Sequence, residues 1–165
     1  MASAAVPRAG FSLDRPQDLI LPLAVVGSVL VVLVPTLLIA GKRYGAGSSR
    51  DWAAKGVGYL GVRAVIAESF ERIHRANLVA VGVLPLTFPE GVTRKTLALT
   101  GADSYRLRGL DQGLKVGGNL ELDVERDGRT VVTVTLDVRL DTQREADVLK
   151  AGGLLSVLFG DLSAA

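Results

Sequence analysis

The 165-residue chain contains no cysteine. Without thiols it can form neither a disulfide framework nor, on its own, a thiolate-held metal cluster. It has one histidine, His74. A metal or acid–base role would need partner groups, and a lone histidine in a helical stretch reads as a surface or capping residue, so no chemistry is assigned to it. Aromatic residues make up 5% of the chain, too few for a platform on which nucleic-acid bases could stack. Charge of one sign is also scarce: 19 Lys and Arg against 17 Asp and Glu leave a net charge of +2. The basic residues are dispersed among acidic ones, which argues against nucleic acid as a partner. No internal repeat or low-complexity tract occurs, and the length is ample for one hydrophobic core but short for two.

What is present is organised around Gly41 to Gly56. This stretch follows the apolar run Thr36 to Ala40, passes three glycines (41, 45 and 47), and reaches Ser48-Ser49-Arg50-Asp51 before the helix-favouring Trp52-Ala53-Ala54-Lys55. It reads as strand, tight loop and helix start. Such a helix mouth offers free N–H groups and a partial positive charge to an anion. Ser48 or Ser49 can cap the helix, with Asp51 at capping-box spacing from Ser48. Gly-Ser-Ser before a helix is common as simple capping. Two hydroxyls followed by a guanidinium go further, because they place donors, a potential base and a fixed cation together, which suits a substrate with several carboxylates.

The run Tyr44-Gly45-Ala46-Gly47-Ser48-Ser49-Arg50-Asp51-Trp52-Ala53-Ala54-Lys55-Gly56 resembles the signature of the C-terminal swivel domain of the aconitase family. The segment from Gly61 to Leu78, with Glu71-Arg72-Ile73-His74-Arg75-Ala76-Asn77-Leu78 at its end, and then Gly82-Val83-Leu84-Pro85-Leu86, continue the likeness. It extends from about Thr36 to about Leu162. The resemblance implies an α/β fold of the swivelling β/β/α type. It also implies a cytoplasmic iron–sulfur hydro-lyase that interconverts citrate and isocitrate through cis-aconitate. In that family the tricarboxylate lies between a cluster-bearing body and this mobile domain. The complete enzyme carries a [4Fe-4S] cluster, to which this chain offers no ligand.

By the same resemblance Ser48 corresponds to the catalytic base, and Ser49 and Arg50 to ligands of the substrate carboxylates. A serine hydroxyl is a poor base, so it acts only where a helix end and nearby cations stabilise the alkoxide. Iron supplied from elsewhere would polarise the departing hydroxyl. Asp51 and Trp52 read as capping and packing residues. Another substrate-binding arginine of the family has no counterpart here, and none of Arg8, Arg15 or Arg43 replaces it. The cluster cysteines and the acid-side residues lie in other domains of the family, so the chain alone is expected not to turn over citrate. The expected partner is a cluster-bearing set of domains or a large subunit, this chain being a fragment or split subunit.

Elsewhere the chain divides into a loose arm (1–18), an apolar segment (19–35) and the swivel domain (36–165). The uncharged run Leu19 to Gly41 has the length to cross a bilayer core of roughly 30 Å. Pro22, Gly27 and Pro35 interrupt it, its valines are those of buried strands, and its last residues belong to the strand before the serine loop. A membrane anchor is therefore the lesser reading, and residues before about 36 are expected not to be native to the domain. Further on, strands are expected at Val62 to Ala67, Val83 to Phe88 and Tyr105 to Leu110, and a helix at Asp51 to Tyr59. A second helix is expected over Phe70 to Val81, with Phe70, Ile73, Asn77, Leu78 and Val81 inward and Glu68, Glu71, Arg72 and Arg75 outward. Thr93 to Leu99 reads as a helical turn. Asn119 to Glu125 and Thr130 to Leu140 form a hairpin about Asp127-Gly128, charged residues outside. Thr142 caps a helix over Gln143 to Lys150, with Glu145 completing a capping box, and Leu154 to Phe159 add an apolar turn.

Two other readings compete with an aconitate hydratase portion. One is the small subunit of an isopropylmalate dehydratase or a methylcitrate-pathway hydro-lyase. The other is a non-enzymatic, membrane-tethered module.

Overall fold

Three short, largely apolar stretches, Thr36–Ile39 (β1), Val62–Ala67 (β2) and Leu84–Thr87 (β3), pair in parallel in that order. The computed structural model describes residues 36–48 and 50–163; the proposed arm and apolar segment, 1–35, lie outside them. Among the described residues no helix is long and apolar enough to cross a membrane.

Helices Arg50–Tyr59 (α1) and Arg72–Ala80 (α2) make the two parallel crossovers. Strands Ser104–Arg108 (β4), Asn119–Arg126 (β5) and Arg129–Val138 (β6) complete a single six-stranded sheet of order β1-β2-β3-β6-β5-β4. The hairpin β5–β6 turns on Asp127 and Gly128, whose φ values of 51° and 73° are both left-handed. A two-residue loop of this kind matches the twist of the strands it joins.

Side-chain alternation divides the core between the two faces of the sheet. On one face Ile66 and Leu86 join Leu122, Leu136 and Val138 in the larger cluster. On the other, Val65 and Val83 pack with Ala54 of α1 and Leu78 of α2. Each fully buried side chain of this size contributes about 1.5–3 kcal/mol.

Helices Gln143–Lys150 (α3) and Leu154–Ser163 (α4) close the chain. As expected, the Thr142 hydroxyl accepts from Glu145 N at 3.2 Å. The Glu145 carboxylate, however, accepts from Asp141 N one residue before the cap and also receives the Arg75 fork, with both contacts at 2.9 Å. Arg75 Nη1 donates as well to the Arg139 carbonyl at 2.9 Å, and Nη2 pairs with Asp141 at 2.8 Å. This network ties α2 to α3.

Several expectations need correction. The second helix begins at Arg72, not Phe70, because Glu71 is its N-cap and accepts from His74 N. Its buried face is consequently His74, Arg75, Leu78 and Val79, while Ile73 is 44% exposed. Arg75 therefore points inward to a carboxylate, and Glu71 toward the serine loop. His74 is 1% exposed and is a core residue, neither a surface group nor a cap. On the hairpin, Asp123 is buried beneath Arg108, which it meets at 2.7 Å. The last apolar stretch is a ten-residue helix instead of a single turn, and Leu155, Phe159 and Leu162 are exposed on it.

Candidate functional site

The chain leaving β1 does not simply turn into α1. It first runs beside the segment that leaves β2. Ala40 N donates to Ile66 O, Glu68 N to Gly41 O, Tyr44 N to Ser69 O and Glu71 N to Tyr44 O, at 2.8, 3.2, 2.9 and 2.9 Å. Arg43 N adds a bond to the Ser69 hydroxyl at 2.8 Å. The ladder thus continues past the strand ends and holds the serine loop at the carboxyl edge of the parallel strands, where crevices form in α/β sheets. Arg43 adopts φ 52°, a left-handed conformation that costs a non-glycine residue about 1–2 kcal/mol.

Ser48 is exposed and stands two residues before the first residue of α1, Arg50. Ser49 lies outside the described residues. Arg50 is partly exposed. Its Nε donates to Gly47 O at 3.0 Å and pairs with Glu71 Oε2 at 3.3 Å, so the loop is closed on itself through the guanidinium stem. Among the described residues Arg50 Nη1 and Nη2 donate no hydrogen bond. Those are the atoms with which an arginine grips a carboxylate end-on.

The Asp51 carboxylate pairs with Lys55 at 2.7 Å, one helical turn on. Trp52, read as a packing residue, departs from expectation. Trp52 is 73% exposed, with Lys55 Nζ 5.5 Å from its ring centroid. It does not pack into the core, because the inward face of α1 is occupied by Ala54.

His74 lies beneath the loop. Its Nδ1 is 3.1 Å from the Arg50 carbonyl oxygen; a carbonyl can only accept, so Nδ1 carries the hydrogen. Nε2 is buried and, among the described residues, has no hydrogen-bond partner. The Tyr44 ring meets the imidazole edge-to-face at 5.1 Å, and burial pushes the Tyr44 phenol above its usual pKa. Gly45, at φ 83°, passes so close that a Cβ there would overlap the imidazole.

Beside the loop opens a cleft of about 550 Å³ whose lining includes Ser69, Phe70, Arg72, Thr87, Arg139 and Asp141. Ser69 is shared between the cleft and the loop's anchoring ladder. Sequence reasoning missed Ser69, Glu71 and His74 as supports of the loop. The available signal was topological: consecutive parallel strands release their chains at one edge of a sheet, so the residues after β2 had to meet the loop after β1.

Residues 33–91 match the Aconitase C-terminal domain family. The chain is 53% identical over 121 residues to aconitate hydratase A of Pseudomonas aeruginosa, an alignment covering 73% of this chain and 13% of that protein. It is 52% identical over 124 residues to aconitate hydratase A of Thermus thermophilus, covering 75% of this chain and 14% of the relative. The chain therefore spans only a small part of the length of the curated relatives it matches. Its fold is similar to that of a 3-isopropylmalate dehydratase from Methanocaldococcus jannaschii, with a TM-score of 0.56 and 27% identity over 78% of this chain and 65% of that one. A loop carrying Ser48 and Arg50 at the carboxyl edge of a parallel sheet, in a chain about half identical to these hydratases over some three quarters of its length, places the chain in the aconitase family, as a carrier of its C-terminal domain.

Proposed function

We propose that the chain is the part of an aconitate hydratase that supplies the proton-abstracting base and a carboxylate clamp for citrate–isocitrate interconversion. The observation that carries this is the helix mouth itself, where an exposed Ser48 stands ahead of Arg50 and, among the described residues, the terminal nitrogens of Arg50 make no hydrogen bond. Ser48 is the base. Its oxygen takes a proton from the carbon next to a substrate carboxylate, that C–H pair becomes the new C=C bond, and hydroxide leaves from the neighbouring carbon. The positive end of α1 lowers the energy of the serine alkoxide that this requires. Arg50 holds a carboxylate end-on, and Ser49 donates to the same substrate.

Complete aconitases use a [4Fe-4S] cluster, and this chain does not fit such a group: it has no cysteine. Among its described residues no three His, Asp or Glu side chains are grouped as metal ligands. Departure of the hydroxide therefore falls to groups outside these 165 residues, which makes a cluster-bearing body the required partner.

The experiment is to add the purified 165-residue chain to the cluster-bearing portion of an aconitate hydratase A and follow cis-aconitate formation. Turnover of citrate or isocitrate is the expected result. Turnover of 3-isopropylmalate in place of citrate would instead favour the dehydratase small-subunit reading.

A further inference from the structure

Both ends of Arg50 are held by the same turn of α2. A single carboxylate oxygen, Glu71 Oε2, accepts from His74 N at 2.9 Å and faces Arg50 Nε at 3.3 Å. Three residues along, His74 Nδ1–H reaches the Arg50 carbonyl at 3.1 Å. The imidazole is fixed in turn from above by Tyr44 and by the backbone at Gly45. A buried histidine with one nitrogen unsatisfied is a costly group to keep, and Leu or Phe would fill such a space without that cost. Its one side-chain hydrogen bond goes to the first residue of the serine helix.

We infer that Glu71 and His74 are positioning residues for Arg50: Nε–H donates to Gly47 O at 3.0 Å, the Glu71 carboxylate 3.3 Å from the same nitrogen orients the guanidinium by its charge, and His74 fixes the backbone from which the side chain springs. The consequence is a preorganised fork. With Nε already committed, only Nη1 and Nη2 remain for a ligand, and the arginine gives up its rotamer freedom before a carboxylate arrives. The inference deepens the proposed carboxylate clamp and rests on it for its kinetic half alone.

The test has two arms. In the free full chain, the heteronuclear NOE of the Arg50 Nε–H reports side-chain order without any substrate. The wild type gives a rigid value. Glu71→Gln, which keeps an oxygen for the helix cap but removes the charge, loosens the signal toward that of a solvent-exposed arginine such as Arg94, while the backbone spectrum outside residues 43–52 and 69–75 is unchanged. His74→Leu loosens the same signal, and His74→Asn, which can return an N–H to the carbonyl, restores part of it. In the chain combined with a cluster-bearing portion, Glu71→Gln raises KM for citrate on the order of tenfold with a smaller change in kcat. Combined with Arg50→Lys, it adds nothing further.

An Arg50 Nε–H as rigid in Glu71→Gln as in the wild type overturns the inference, as does a KM penalty that adds fully to that of Arg50→Lys. Absence of turnover in the wild-type combination refutes the hydratase reading instead, and the NOE arm still decides the positioning role.

Discussion

Gly45→Ala puts the account of the serine loop under the most local stress. Gly45 sits at φ 83°, and a Cβ on it would overlap the His74 ring at Cγ and Cδ2 and the His74 Cβ. Two costs follow. Holding alanine in a left-handed conformation costs about 1–2 kcal/mol. Forcing a methyl against a packed imidazole costs about 1–3 kcal/mol in displaced side chain and backbone. Together they give about 2–5 kcal/mol, a large fraction of what a domain of this size has in hand. Gly47, two residues away in the same loop, is the control: a Cβ there meets nothing within 4 Å and its φ is not positive, so Gly47→Ala should change stability by no more than about 0.5 kcal/mol. Urea unfolding of both variants and the wild type, with free energies from linear extrapolation at matched m values, reads the difference. Equal stabilities for the two alanine variants would refute the claim that the loop is wrapped on His74.

Other predictions concern the supports of the fold. Arg75→Met leaves Glu145 without its two-pronged partner in a largely buried setting. It should cost on the order of 3 kcal/mol, the lower end for breaking a buried pair because Asp141 is itself half exposed; thermal or urea unfolding checks it. Asp103 is buried, and its hydrogen bond from Arg126 holds the carboxyl at about 2, below its ordinary 3.8. A folded value below the unfolded one means a stabilisation fully present above about pH 3.8 and lost as the pH falls toward 2. Asp103→Asn should therefore flatten the acid limb of the stability–pH curve over that window and lower the melting temperature at neutral pH. Unfolding midpoints measured across the acid range decide it.

How much of this was legible in the sequence can be argued element by element. The strands were readable because Val62 to Ala67 and Leu84 to Thr87 are predominantly apolar, as strands buried on both faces must be; Arg63, the one charged residue, is exposed near the start of β2. The hairpin was readable because Asp127-Gly128 supplies two left-handed residues where the loop needs them. The loop of Ser48, Ser49 and Arg50 stood out as hydroxyls and a guanidinium at a helix start. The phase of α2 was not readable from periodicity. A stripe through Phe70, Ile73 and Asn77 fits a helix as well as one through His74, Leu78 and Val79, and the choice was made by Glu71 capping at a position that tertiary contacts define. The same applies to Arg75, whose burial depends on Glu145, seventy residues away. Trp52 reads as a packing residue by type alone, yet the helix turns it to solvent because Ala54 takes the inward place. Long-range pairing of charged groups leaves no local pattern in a sequence, and here it carries both the join between α2 and α3 and the support of the candidate site.

If Ser48 removes a proton from a bound tricarboxylate, Ser48→Ala disables turnover and leaves binding and folding intact. In the chain combined with a cluster-bearing portion of an aconitate hydratase, kcat for citrate should fall by roughly 10²–10⁴, the contribution of a positioned general base. KM should change by no more than a few-fold and the melting temperature should stay at the wild-type value, because Ser48 is exposed. Turnover at the wild-type rate in that variant would contradict the account.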